Sequence, residues 1–325
     1  MKAIICEQFG LPETLRFGEL PDPVPGPNQV LIEVEACGVN FPDVLIIQNL
    51  YQFKPELPFS PGGEVAGKII GIGEKVQNFK VGDFVLALCG WGGFAEKVVV
   101  DADRAFKLPA GLPAEIAATT LYTYGTSYHA LTDRANLHSG ETLLVLGAAG
   151  GVGLAAVELG KLMGAKVIAA ASSSEKLELC REKGAELTIN YETEDLKSRI
   201  KELTNGKGVD VVYDPVGGKF TEVALRGMAW KGRYLIVGFA NGEIPKIPMN
   251  LPLLKGCSIV GVFWGQFSKL EPEKSFQNIA QLMKWIQEGK IKQHIGEHFS
   301  LEESPGALRA ILDRKMLGKG VVIIK

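Results

Sequence analysis

The sequence predicts an α/β protein in which a β-rich domain is joined to a doubly wound parallel sheet. Three observations predict it. The first ~120 residues read as short Val- and Ile-rich strands broken by Pro and Gly. From about residue 120 strand and helix alternate, as right-handed βαβ units on a parallel sheet do. A glycine-rich loop, LGAAGGVG at 146–153, joins the first strand of that alternation to its first helix.

In the first part, VLIEVEACGV (30–39), EVAGKIIGIG (64–73), DFVLALCG (83–90) and FAEKVVVD (94–101) are the expected strands. PDPVPGPNQ (21–29) is too rich in proline for a central strand. An antiparallel barrel or sandwich fits this pattern. TLLVLG (142–147) opens the second part as a buried strand, followed by the helix GVGLAAVELGKLMG (151–164). KVIAAA (166–171) and SSEKLELCREKG (173–184) are the next strand and helix. LTIN, the helix DLKSRIKELTNG, the strand DVVYDPV, the helix FTEVALRGMAW and the strand GRYLIVG follow in order. SIVGVFW (258–264) is the expected sixth strand. After ~265 come one long helix (SFQNIAQLMKWIQEG), a shorter one (SPGALRAILDR) and a last strand (GVVII).

With 325 residues the chain suits about two domains. Its 35 basic and 37 acidic residues leave a formal charge of -2. That balance gives no reason to expect a nucleic-acid or membrane partner. Cys6, Cys37, Cys89, Cys180 and Cys257 are scattered, with no C-x-x-C pair, which points to free thiols in a reducing compartment. The opening MKAIICEQFG is too short an apolar run for a signal peptide, and no ~18-residue apolar stretch occurs. A soluble, cytoplasmic protein is expected.

The glycine-rich loop follows a buried strand and opens a helix, the context that gives such a pattern meaning. Aligned to G-x-G-x-x-G, Ala148 takes the first glycine's place, where a small residue suffices for the tight turn. Gly150 lets the backbone approach a pyrophosphate, and Gly153 lets the helix pack closely on the strand. The N–H groups of Gly151 and Val152 then face the phosphates at the positive end of the helix. The second strand bears on which dinucleotide binds. NAD sites place an Asp or Glu there for the ribose 2′-hydroxyl. Here the strand ends in Ala170, Ala171, Ser172, Ser173 and Ser174, with Lys176 after it. Hydroxyls and a cation suit a 2′-phosphate, so NADP(H) is the expected cofactor. The serines would serve equally as a cap for the following helix.

With this loop in place, the whole chain resembles the medium-chain dehydrogenase/reductase superfamily, and most of all its zinc-independent quinone oxidoreductase branch. The resemblance rests on CGVNFPD (37–43), LPFSPGGEVAG (57–67), YGTSYHAL (124–131), the AAGGVG loop, INY (189–191), DPVGG (214–218) and the terminal GKGVVII. It implies a GroES-like catalytic domain from residues 1–122 and 265–325, with a Rossmann NADP(H)-binding domain at 123–264 inserted into it. It also implies a cleft between the domains for the nicotinamide, and a homodimer joined through the Rossmann sheet edges.

Zinc alcohol dehydrogenases of the superfamily carry a Cys where this chain has Asn40, a His where it has Gly63 of Gly62-Gly63-Glu64, and a further Cys near Thr123. A catalytic zinc needs three protein ligands and an open position, so no resident metal is expected. His294 and His298 are four apart, but IKQHIGEHFSL reads as turn and strand, with only two ligands in sight.

The resemblance also implies the cofactor contacts. Ser172, Ser173, Lys176 and Tyr191 surround the 2′-phosphate, and Arg314 reaches it from the C-terminal segment. Gly217 lies beside the adenosine ribose. Gly238, Phe239 and Ala240 end the fifth strand near the nicotinamide, with Thr123 also at the cofactor. Phe263 and Trp264 either wall the ring or serve core or dimer packing. Asn40 and Tyr51 face nicotinamide and substrate, although Tyr51 also reads as a surface-loop residue. In this reading a hydride passes from NADPH to a quinone or α,β-unsaturated carbonyl. Asn40 and Tyr51 act as donors to the developing oxyanion, over an apolar floor of Trp91, Phe263 and Trp264. An enoyl or 2-alkenal reductase is the nearest alternative. A non-catalytic NADPH-binding, crystallin-like protein is the next; the missing basic stripe argues against RNA binding.

Overall fold

The computed structural model describes residues 1–108 and 111–325. The chain divides into two compact units, Met1–Tyr122 with Gln293–Lys325, and Thr123–Lys292.

In the first unit, β1 (Lys2–Ile5) pairs antiparallel with β2 (Arg16–Glu19). The long β3 (Gln29–Val39) alternates buried and half-buried residues up to Ala36, the period-2 pattern of a strand with one face on a core. It runs into α1 (Phe41–Ile46), where Pro42 occupies the first turn without loss of a helical hydrogen bond. Strands β4 (Glu64–Ile72), β5 (Phe84–Leu88), β6 (Lys97–Asp101) and β7 (Ala105–Lys107) follow, then the single turn α2 (Ala114–Ala117).

The second unit starts on a helical stretch whose core is α3 (Thr126–Tyr128). Then come β8 (Thr142–Leu146), α4 (Gly151–Leu162), β9 (Lys166–Ala171), α5 (Ser174–Glu182), β10 (Leu187–Asn190), α6 (Leu196–Leu203), β11 (Val209–Asp214), α7 (Lys219–Arg226), β12 (Met228–Ile236), α8 (Asn250–Lys255) and β13 (Ser258–Gly261). Among the described residues these six strands form one parallel sheet in the order β10-β9-β8-β11-β12-β13. This is the order of a dinucleotide-binding fold. Its direction reverses between β8 and β11, where such sheets open a ligand crevice beyond the strand C-termini. Two helices, α9 (Trp264–Leu270) and α10 (Pro272–Gln287), complete the unit.

The chain then returns to the first unit with β14 (Ile295–Ser300), α11 (Ser304–Leu312) and β15 (Lys319–Ile323). The first unit's main sheet has the order β14-β15-β3-β4-β5-β7, with β6 also paired to β3.

Three expectations need correction. The return to the first unit comes at Gln293, not at 265. The reason is that α9 and α10 pack on the second unit: Phe267 stacks on His129 at 3.8 Å, Trp285 meets Tyr128 edge-on at 5.5 Å, and Asn278 Nδ2 donates to Asp133 at 2.7 Å. The segment MAW (228–230) is strand, not helix. Gly227 ends α7, and Met228 is buried and pairs with Val209. The sixth strand stops at Gly261, and by Trp264 the chain is already helical.

Candidate active site

The turn after β8 shows why each small residue is there. Gly147 has φ +59, and a Cβ on it would meet Val216 Cγ2 at 2.7 Å. It is the turn's conformational glycine, and the alignment beginning at Ala148 passes over it. A Cβ on Gly153 would lie 2.3 Å from Gly147 O and 2.9 Å from Ala148 Cα, so only glycine lets α4 pack on the strand here. Gly150 differs, because its Cβ would make just one ordinary contact, 3.5 Å from Gly147 O. The protein's own packing leaves that place open. Gly151 and Val152 are the first two residues of α4, whose N–H groups have no acceptor within the helix.

At the end of β9, Lys176 Nζ donates to Ser172 Oγ at 3.1 Å. Ser173 Oγ accepts from Lys176 N–H at 3.3 Å and so caps α5. Ser173 therefore serves as the helix cap, while Ser172 holds the Lys176 ammonium. Tyr191 N–H donates to Ala171 O at 3.2 Å, and its ring lies 4.5 Å from that of Phe220. Ser172, Ser173, Lys176 and Tyr191 are thus gathered at the C-terminal ends of β9 and β10.

Beyond β11 the loop is organised by Asp214. One carboxylate oxygen accepts from Val216 N (2.8 Å) and Gly217 N (2.9 Å). The other accepts from Thr221 Oγ1 (3.0 Å) and Tyr234 Oη (2.6 Å). Gly217 has φ +70, and its Cβ would lie 2.9 Å from Phe239 Cδ1. Gly238 and Ala240 donate backbone N–H groups to Asp214 O and Pro215 O. Gly217, Gly238, Phe239 and Ala240 therefore share one corner of the second unit. Phe263 is half exposed, whereas Trp264 is buried with Gly125 directly against its ring, a contact that accounts for its burial without a ligand. Thr123 is buried at the start of the same unit.

In the first unit, Asn40, Asp43, Glu64 and Lys319 form a buried polar cluster. Lys319 Nζ donates to Val39 O at 2.9 Å and to Asn40 Oδ1, and lies 3.9 Å from Glu64 Oε2. Asn40 Nδ2 donates to Gly38 O at 3.1 Å and Glu64 Oε2 at 3.5 Å. The Asn40 N–H donates to Asp43 Oδ2 at 2.8 Å. Glu64 Oε1 accepts from the N–H of Leu121 and, at 3.3 Å, of Tyr122. Gly63 has no room for a side chain, since a Cβ would meet Tyr122 Oη at 2.8 Å and Gly90 O at 3.0 Å. Tyr51 is half-buried, its ring edge-on to Phe53 at 5.7 Å, and burial followed by the Asp43 charge pushes its phenol up. Trp91 is 41% exposed, and Arg314 follows α11 with φ +57. His298 pairs with Glu115 at 2.8 Å, and among the described residues no three His, Cys, Asp or Glu side chains converge on a metal position.

Burial pushes the Asp43 and Glu64 carboxyls up to about 7, against the pull of Lys319 and the N–H donors. A carboxyl raised above its unfolded value favours folding most below that unfolded value, and loses the advantage as pH rises through about 7. The melting temperature should therefore fall by several degrees between about pH 5 and 8. Asp43→Asn keeps an acceptor and cannot ionise, so it should flatten that fall. Parallel melting curves for the two proteins across this range would show that Asp43 does not titrate there.

Two family profiles cover most of this architecture: "Alcohol dehydrogenase GroES-like domain" at residues 26–110 and "Zinc-binding dehydrogenase" at 151–287. With the six-stranded order and the glycine turn, they place the chain in the medium-chain dehydrogenase/reductase superfamily of oxidoreductases. The chain is 41% identical to a quinone oxidoreductase-like protein 2 homolog of Nematostella vectensis, over 100% of this chain and 89% of that one. It is 38% identical to quinone oxidoreductase-like protein 2 of Bos taurus, over 100% and 93%. The structure of Escherichia coli quinone oxidoreductase complexed with NADPH matches with a TM-score of 0.93 and 29% identity, over 100% of both chains. The chain belongs to the quinone oxidoreductase branch of that superfamily: a GroES-like domain carrying an inserted Rossmann domain. No helix among its described residues is long and apolar enough to cross a membrane.

Proposed function

We propose that this protein is an NADPH:quinone oxidoreductase that transfers hydride to a quinone or similar conjugated carbonyl without a resident metal. The observation that carries the cofactor choice is the end of β9. There Ser172, Ser173 and Lys176 stand where a 2′-hydroxyl site would hold an acid. The E. coli relative's NADPH complex supports the same choice. Gly150 and the first N–H groups of α4 take the pyrophosphate, and the Asp214-braced corner with Gly217, Gly238, Phe239 and Ala240 takes the ribose and nicotinamide end. NADPH supplies the hydride. Asn40 donates to the oxygen on which charge develops, through the amide hydrogen now held by the long 3.5 Å bond to Glu64. A second reading is an enoyl or 2-alkenal reductase in which the half-buried Tyr51, whose phenol carries its proton at neutral pH, is the acid.

The residues do not fit a zinc ion. The amide of Asn40 is bonded to a lysine ammonium, and the place of an imidazole at position 63 is taken by Tyr122. A cytoplasmic setting fits the five free thiols. A homodimer fits the exposed Trp230, Met249, Leu253 and Leu254 of the β12–α8 region, beside the edge strand β13. Native mass spectrometry checks metal content and assembly together: the expected species is about twice the 35.0 kDa chain mass, with no zinc. One tightly held zinc per chain would falsify the metal-free site, and a monomer would remove the dimer. The test of the activity itself is NADPH consumption with a panel of quinones, enals and enoyl thioesters. Turnover of none of them overturns the enzyme reading.

A further inference from the structure

The reaction as described leaves Lys319 without a part, although it is the buried cation of the polar cluster. It opens β15, and Gly320 after it pairs with Val39 of β3, which brings the side chain beside Asn40. An ammonium has three hydrogens and accepts nothing. Val39 O, Asn40 Oδ1 and Glu64 Oε2 all lie before it.

This settles which way the Asn40 amide faces. The amide oxygen and nitrogen are often interchangeable, but a donor-only group at one end requires the oxygen there. Nδ2 must then face Gly38 O and Glu64 Oε2. Without the ammonium, Oδ1 becomes a buried acceptor with no donor, and Glu64 a buried carboxylate with no cation. Both conditions are costly enough to turn the side chain toward new partners.

We propose that Lys319 is a positioning residue for the acceptor site: its ammonium, bonded to Asn40 Oδ1 and paired with Glu64, holds the Asn40 amide so that Nδ2 offers a hydrogen to the oxygen of the quinone or carbonyl being reduced. The proposal rests on the role given to Asn40 above. Lys319 itself touches neither substrate nor cofactor; it acts through the amide.

The test is a double-mutant cycle on one quinone with saturating NADPH: wild type, Asn40→Ala, Lys319→Met and the double variant, with the NADPH dissociation constant measured for each. Lys319→Met should lower kcat about tenfold or more, a share of what one oxyanion donor contributes. NADPH affinity should stay unchanged, and the substitution should add almost nothing in the Asn40→Ala background. A purely structural role would lower the folded fraction alike in both backgrounds. If Lys319→Met does not fold, Glu64→Gln/Lys319→Met removes both buried charges and should show the same pattern. A kcat within about twofold of wild type, or an equal loss in both backgrounds, overturns the proposal. If Asn40→Ala is impaired and Lys319→Met is not, the Asn40 role stands and only the positioning role falls. If Asn40→Ala is silent, both fall.

Discussion

Asn40→Ala should lower kcat/KM about a hundredfold on a quinone and on an alkenal alike, because an oxyanion donor serves either reaction. Tyr51→Phe should separate the two. It keeps the ring that packs on Phe53 and removes only the hydroxyl. A quinone takes the hydride and becomes a stabilised aromatic anion that needs little help from a placed acid, so its turnover should change by less than about tenfold. An alkenal becomes an enolate whose carbon must be protonated, and there the loss should reach about a hundredfold or more. The measurement is kcat/KM for one quinone and one alkenal in each variant. A large Tyr51→Phe loss confined to the alkenal favours the second reading. Silence of both variants on every substrate turned over removes Asn40 and Tyr51 from the site.

Lys176→Ala should weaken NADPH binding roughly ten- to hundredfold and leave NADH almost untouched. A hydrogen bond to a charged group contributes about 1.5–3 kcal/mol, and about 1.4 kcal/mol is a decade of affinity. NADH has no 2′-phosphate to lose. The side chain already leans on Ser172 at 3.1 Å, so the cation is held where the phosphate is expected. Ser173 caps α5 through the backbone N–H of Lys176, and that bond survives the substitution. Titration with both cofactors decides the matter: equal losses would mean that Lys176 supports the helix rather than the phosphate.

Much of the candidate cofactor site is legible in sequence because it is written in consecutive residues. A strand, a glycine turn and a helix N-terminus fall within 142–162, and the substitution of serines for an acid falls immediately after the next strand. Those signals are local in the chain and local in space. Gly147 is not marked out by pattern, because a positive φ leaves no trace in sequence beyond the glycine itself, and this loop has several glycines. Local pattern places MAW at the end of the helix FTEVALRGMAW, whereas the pairing of Met228 with Val209 is a sheet contact. The return point moved from 265 to 293 for the same reason. The attachment of α9 and α10 depends on His129, Tyr128 and Asp133, more than 120 residues upstream.

The sequence by itself determined the fold class, the dinucleotide loop, the lack of an acid at the end of the second strand and the lack of zinc ligands at positions 40 and 63. Each is a property of residue type at a fixed spacing. Only the tertiary structure decided what fills the place of those ligands. Lys319 is 279 residues from Asn40 in the chain, and Glu64 is 24 from it. They meet because β15 pairs with β3 and β3 with β4. A lysine in GKGVVII reads as a solvated charge, since lysines are almost never buried unless paired. Its partners are supplied by register across two strand pairings, which no local pattern records.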